Sequence, residues 1–162
     1  MKKKQITELL IFIIATELVG ALSALLTGKS FSFYQEVAKP PFSPPGWVFP
    51  VMWGVLYAVM GISVFLIFRT DQNVENTRKF GKRSAYLLYA GQLAVNFSWS
   101  IVFFRLQMIG LSVAVILLLL ILLVAMIIAF FKIRRSAAYL NIPYFLWILF
   151  ASYLNIGVLI LN

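Results

Sequence analysis

Five stretches of about twenty apolar residues, at about 6–26, 45–68, 84–104, 108–131 and 137–161, constrain the fold before anything else does. A hydrocarbon core about 30 Å thick takes about 20 residues of α-helix, and backbone groups in lipid must be bonded within their own segment. The chain therefore reads as an all-α membrane protein, a five-transmembrane-helix bundle in one membrane domain over residues 1–162. Composition agrees: 62% of the residues are hydrophobic and 12% charged, more apolar surface than a soluble domain of this length uses. Lys2–Lys4 followed by an apolar run resembles a signal peptide, but that run contains Glu17 and no small-residue cleavage site, so it reads as a mature helix.

The net charge of +9 does not mark a nucleic-acid binder, because the basic residues cluster in the short connections. Three lie at Lys2–Lys4, five within 69–83 and three within 132–135, against only Lys29, Lys39 and Arg105 at the opposite end. The excess of Lys and Arg on cytoplasmic loops predicts a cytoplasmic N-terminus and an external C-terminus. The chain has no cysteine and no histidine and five acidic residues in all. Disulfides, thiol or imidazole catalysis, and a carboxylate-built metal site are thereby disfavoured. Aromatics, amides, hydroxyls or the ligand itself must carry whatever chemistry occurs.

Polar and aromatic residues mark the inward faces. Residues 39–57, KPPFSPPGWVFPVMWGVLY, place four prolines in 40–45 ahead of a helix that carries Trp47, Trp53 and Tyr57. Prolines fix φ and remove donors, so this is a stiff ramp, and the loop 27–44 is long enough to fold over one mouth of the bundle. Trp47 suits an interfacial anchor; Trp53 lies two turns deeper. Pro50 would deprive the Gly46 carbonyl of its helical donor, and Pro143 that of Tyr139. The third span carries Gln92, Asn96, Trp99 and Phe103 at spacings of four, three and four, with Ser100 beside them. The fifth carries Tyr144, Trp147, Ala151 and Asn155 at three, four and four. Buried amides and an intramembrane Glu17 need partners, so these faces point inward as interhelical glue or as a pocket for a flat heteroaromatic ligand. Gly20, Ala21, Ser23 and Ala24 near Glu17 suit close helix packing. The fourth span is almost uniformly apolar and reads as facing lipid or a partner, with a dimer mate as one candidate, and without ligand contacts.

The ramp into Trp53 and Tyr57, QLAVNFSWSIVFF in the third span and IPYFLWILFASYLN in the fifth resemble the tryptophan-rich sensory protein, peripheral benzodiazepine receptor or translocator protein family, over about residues 17–155. The resemblance implies a homodimer of five-helix subunits, with loop 27–44 as pocket roof. It implies binding of porphyrins and related tetrapyrroles, or of synthetic benzodiazepine-site ligands, without an intrinsic cofactor. For bacterial members it implies light- and oxygen-dependent breakdown of protoporphyrin at the cell membrane. Carried over by motif position, the ligand-binding residues are Tyr34, Trp53, Tyr57, Asn96, Trp99, Trp147 and Ala151. Trp53 and Trp147 would be the pair that faces the porphyrin during photochemistry. Where relatives often carry Trp this chain has Phe33 and Phe42, so the roof should make fewer polar contacts. Ile156 and Ile160 stand where animal members carry a sterol motif, and no basic residue follows Arg135, which argues against sterol binding. Porphyrin transport and a ligand-responsive stress regulator without catalysis are the alternatives; the first would ordinarily bring an inverted repeat, which the sequence lacks.

Overall fold

The computed structural model describes residues 3–27, 31–71 and 81–162. Lys2, Lys29, Arg78 and Lys79 of the charge pattern, and Glu75, lie outside these residues. Helix α1 spans Lys3–Thr27, the short α2 Phe31–Glu36 and α3 Val48–Arg69. Helix α4 runs Lys82–Ser100 and continues as a π-helical turn over Ile101–Arg105. Then come α5, Ile109–Ile133; α6, Arg135–Tyr139; and α7, Ile142–Leu161. Five of these spans are long and apolar enough to cross a membrane, with α6 and α7 together forming the fifth. The protein is an all-α integral membrane protein.

The prolines act at helix starts. Pro50 falls in the first turn of α3, where the Gly46 carbonyl accepts instead from the Phe49 N–H at 3.3 Å. The expected orphan carbonyl is therefore satisfied by a tighter turn. Pro143 likewise sits in the first turn of α7, and the fifth apolar run is two helices that meet at Leu140 and Asn141. Asn141 secures the joint by donating to Ser63 Oγ at 2.6 Å, and Ser63 donates to Ala137 O at 2.8 Å.

Burial follows lipid rules. The fully buried residues of α1 are Thr16, Ser23 and Thr27, whereas Leu10, Ile11, Ile14, Leu18 and Leu22 face outward. Small and hydroxyl-bearing residues allow helices to approach closely when lipid tails solvate the apolar ones. Gly61 illustrates this, since a Cβ there would stand 2.7 Å from the Ile13 Cα of α1. Helix α5 is more selective than its composition suggests. Ile116, Leu119, Leu123, Met126 and Phe130 form a fully buried seam at alternating spacings of three and four, while Leu118, Ile121 and Ile128 are exposed. That period matches knobs-into-holes packing against α4 and α7.

The basic residues at one end contact one another's helices. Arg69 pairs with Glu8 at 3.3 Å, Lys82 Nζ donates to Phe68 O at 2.9 Å and Arg134 to Leu66 O at 3.4 Å. These tie the start of α1, the end of α3, the start of α4 and the end of α5 into one basic rim.

Candidate functional site

The stripes on α4 and α7 converge and bond. Asn96 Nδ2 donates to the Tyr144 hydroxyl at 2.7 Å, and Tyr144 donates to Gln92 Oε1 at 2.9 Å. Gln92 Nε2 reaches Met60 Sδ at 3.7 Å, and the Tyr57 hydroxyl reaches Asn96 Oδ1 at 3.5 Å. One helical turn onward, Trp99 Nε1 donates to Asn155 Oδ1 at 2.9 Å, and Asn155 Nδ2 donates to Ser112 Oγ at 2.8 Å. These amides are buried and joined to other helices, so they stabilise the bundle, each bond by about 1 kcal/mol.

The rings form a continuous lattice. Trp53 stacks on Tyr57 at 5.5 Å and lies 6.4 Å from Trp99 and 6.1 Å from Tyr144. Trp99 stacks on Phe103 at 5.6 Å. The α3 ring that meets Trp147 is Phe49, edge-on at 5.9 Å and one turn before Trp53 on the same helix face. Trp147 Nε1 is buried without a hydrogen-bond partner among the described residues.

Two cavities adjoin this lattice. The larger, about 220 Å³, lies between α1, α3 and α4. Glu17, Gly20, Ala21, Ser23, Ala24 and Thr27 line it from α1; Phe49, Pro50, Trp53, Gly54 and Tyr57 from α3; Ser100 and Phe104 from α4 and its π-turn. Ala21 and Ala24 are exposed as well as lining, so this cavity communicates with the outside of the bundle. The smaller, about 10 Å³, lies among Tyr34, Phe49, Trp99, Phe103, Phe104, Ala151, Leu154, Asn155 and Val158. That is space for about one water. Phe49 and Phe104 line both and form the partition between them. Of the residues carried over from the family motif, Trp53 and Tyr57 thus line the larger cavity, and Tyr34, Trp99 and Ala151 the smaller. Asn96 and Trp147 line neither.

The residues carried over from the family motif leave out the α1 wall and Phe104. Their signal is weak: small residues at helical spacing around Glu17, and a phenylalanine whose direction depends on the π-turn. That turn, closed by Leu106 N–H to Ile101 O at 2.9 Å, carries Phe103 and Phe104 on adjacent positions, both buried. An inserted residue of this kind re-aims side chains and is frequent at functional sites.

The segment between α2 and α3 is fastened at several points. Tyr34 donates its hydroxyl to Pro44 O at 3.1 Å, and Lys39 Nζ donates to Tyr34 O at 2.8 Å. Burial pushes the Tyr34 phenol above its ordinary range, opposed by a Ser43 hydrogen bond, so it is a proton donor at neutral pH. Tyr153 donates to Pro41 O at 2.9 Å, and Pro40 packs so closely on Gly157 that a Cβ there would stand 2.4 Å from its ring. Phe33 packs edge-on against Phe103 at 5.8 Å. Phe42 does not join the roof: it is 89% exposed, in a left-handed conformation with φ of 63°. Trp47 is 67% exposed at the helix end, as an interfacial side chain would be.

A family model described as TspO/MBR family matches residues 12–161. The chain is 34% identical over 160 residues to "Tryptophan-rich protein TspO" of Chlorobaculum tepidum, covering 98% of each chain. It is 34% identical over 147 residues to "Translocator protein" of Bos taurus, covering 89% of this chain and 83% of that one. With "Tryptophan-rich sensory protein" of Cereibacter sphaeroides it shares 31% over 153 residues, 94% and 90% of the two chains. A bundle of five spans with an aromatic lattice behind a proline-rich strap, matched along nearly its whole length, belongs to the TspO/MBR family.

Proposed function

We propose that this membrane protein binds protoporphyrin-like tetrapyrroles in its aromatic cavity and promotes their light- and oxygen-dependent degradation. The observation that carries the reading is Trp53: half-buried, stacked on Tyr57 and lining the larger cavity. An indole there offers a stacking face and a one-electron donor beside an excited macrocycle. Oxygen is the oxidant, and the protein supplies position and partial exclusion of water while the ligand carries the chemistry.

Small-molecule pockets span about 300–1,000 Å³, so a cavity of about 220 Å³ must widen for a macrocycle. Rotation of Phe49 and Phe104 joins it to the smaller cavity and brings Trp99 and Ala151 to the ligand. The exposed Ala21 and Ala24 offer a way in from the bilayer. The same reading takes the protein as a homodimer in a bacterial cell membrane, with the basic rim cytoplasmic by the positive-inside rule.

Illumination of the purified protein with protoporphyrin, followed by absorbance, tests the chemistry. Loss should be faster than for free porphyrin, should slow several-fold in Trp53→Phe and should slow less in Trp147→Phe. Loss at the free-porphyrin rate, or undiminished loss in the double variant, removes the enzymatic reading and leaves binding alone.

A further inference from the structure

We propose that Glu17 makes the larger cavity selective for ligands that carry a protonated amine on a flat aromatic body. The proposal rests on the reading of this cavity as a ligand site and names the chemistry it prefers.

Glu17 lines the cavity within a membrane-spanning helix, and no lysine or arginine among the described residues lines it. Three cations of the basic rim are engaged elsewhere, Arg69 with Glu8, Lys82 with Phe68 O and Arg134 with Leu66 O. Glu17 has no ion-pair partner among the described residues. A carboxylate at this depth is costly unless a counter-charge reaches it, so its partner is a cation brought by the ligand.

The rest of the wall fits such a ligand. One turn along α1, Gly20 leaves the space into which the Tyr57 ring settles; a Cβ there would stand 2.3 Å from Tyr57 Cε2. Tyr57 and Trp53 stack on the facing wall and present ring surface to a cation as well as to an aromatic body. Ser23 Oγ, buried and without a partner among the described residues, adds an acceptor for a second N–H. An aromatic platform, a carboxylate and a spare hydroxyl together recognise an ammonium group, which a purely apolar cavity would reject.

Equilibrium dialysis of the full chain in nanodiscs, with empty nanodiscs subtracted, tests this using 2-(2-naphthyl)ethylamine and the neutral 2-(2-naphthyl)ethanol as matched probes. A charge-assisted contact predicts that the amine binds about tenfold or more tightly than the alcohol. Glu17→Gln removes the charge at nearly constant size and should bring the amine down to the alcohol's affinity, whereas Glu17→Asp should retain part of the preference. Equal binding of the two probes to the wild-type protein overturns the proposal and leaves the cavity standing as a ligand site. An amine preference that survives in Glu17→Gln does the same. Binding of neither probe to the folded wild-type protein overturns both readings. Because the ratio of the two probes on the wild-type chain decides by itself, a poorly folding variant does not remove the test.

Discussion

The two sides of the Phe49–Phe104 partition are built from different materials. On the α7 side, amides, indole and hydroxyl are joined through Trp99, Asn155 and Ser112, and about 10 Å³ remains. On the α1 side, glycine, alanine and a serine without a partner among the described residues face Trp53 and Tyr57, and about 220 Å³ remains. The difference shows where polarity goes in a lipid-solvated bundle. Amides with two hydrogen-bonding ends are consumed in linking helices, and empty space collects where one helix offers no side chain to fill it. The buried amides of α4 and α7 are therefore taken up in linking helices, and the larger space lies where Trp53 and Tyr57 meet the small residues of α1.

The largest break in this contrast should come from Gly61→Leu. Its side chain meets the α1 backbone at Ile13, which cannot withdraw as a flexible side chain could, and prises α1 from α3. Overpacking of this kind costs about 3 kcal/mol, read as a lower thermal midpoint in detergent, with porphyrin quenching of tryptophan fluorescence lost along with it. Next in size is Asn96→Leu, which strips Tyr144 and Tyr57 of a partner on the linked side. Stability should fall by about 1–2 kcal/mol while the porphyrin Kd stays within about threefold, since Asn96 lines neither cavity. A larger loss of affinity than of stability would return Asn96 to the ligand shell. The smallest effect is a matched pair. Ala151→Val, on the filled side, should cost about 1 kcal/mol, whereas Ala21→Val, beside open space, should stay within about 0.5 kcal/mol. Equal costs in a thermal-unfolding comparison would mean that the two sides are packed alike.

Much of this arrangement is legible in the residues, for identifiable reasons. Helix number and position follow from run lengths, and the inward faces of α4 and α7 from amides and indoles at spacings of three and four. What marks those faces is a side chain too polar to leave in lipid. Helix α5 carries one such mark, Ser112 in its first turns; beyond it the run is uniformly apolar, with Leu119 buried and Leu118 exposed. Helix α1 inverts the usual signal, because its contact face is small and its leucines face lipid. Trp53 and Phe49 lie on one face of α3, so spacing alone does not tell which of them meets Trp147. The five-residue turn at Ile101–Arg105 leaves no trace in composition, yet it sets where Phe104 stands.

That turn also bears on how the chain tolerates changes in length. Five residues there occupy a loop of helix that four would close in regular α geometry. A single-residue deletion within 101–105 can therefore be absorbed without breaking the span, by conversion of the wide turn to an ordinary one. Residues on either side would keep their facing, whereas those within the turn would be re-aimed, carrying Phe104 away from the partition. In this family, a one-residue gap aligned to that turn would mark a chain whose two cavities are divided differently.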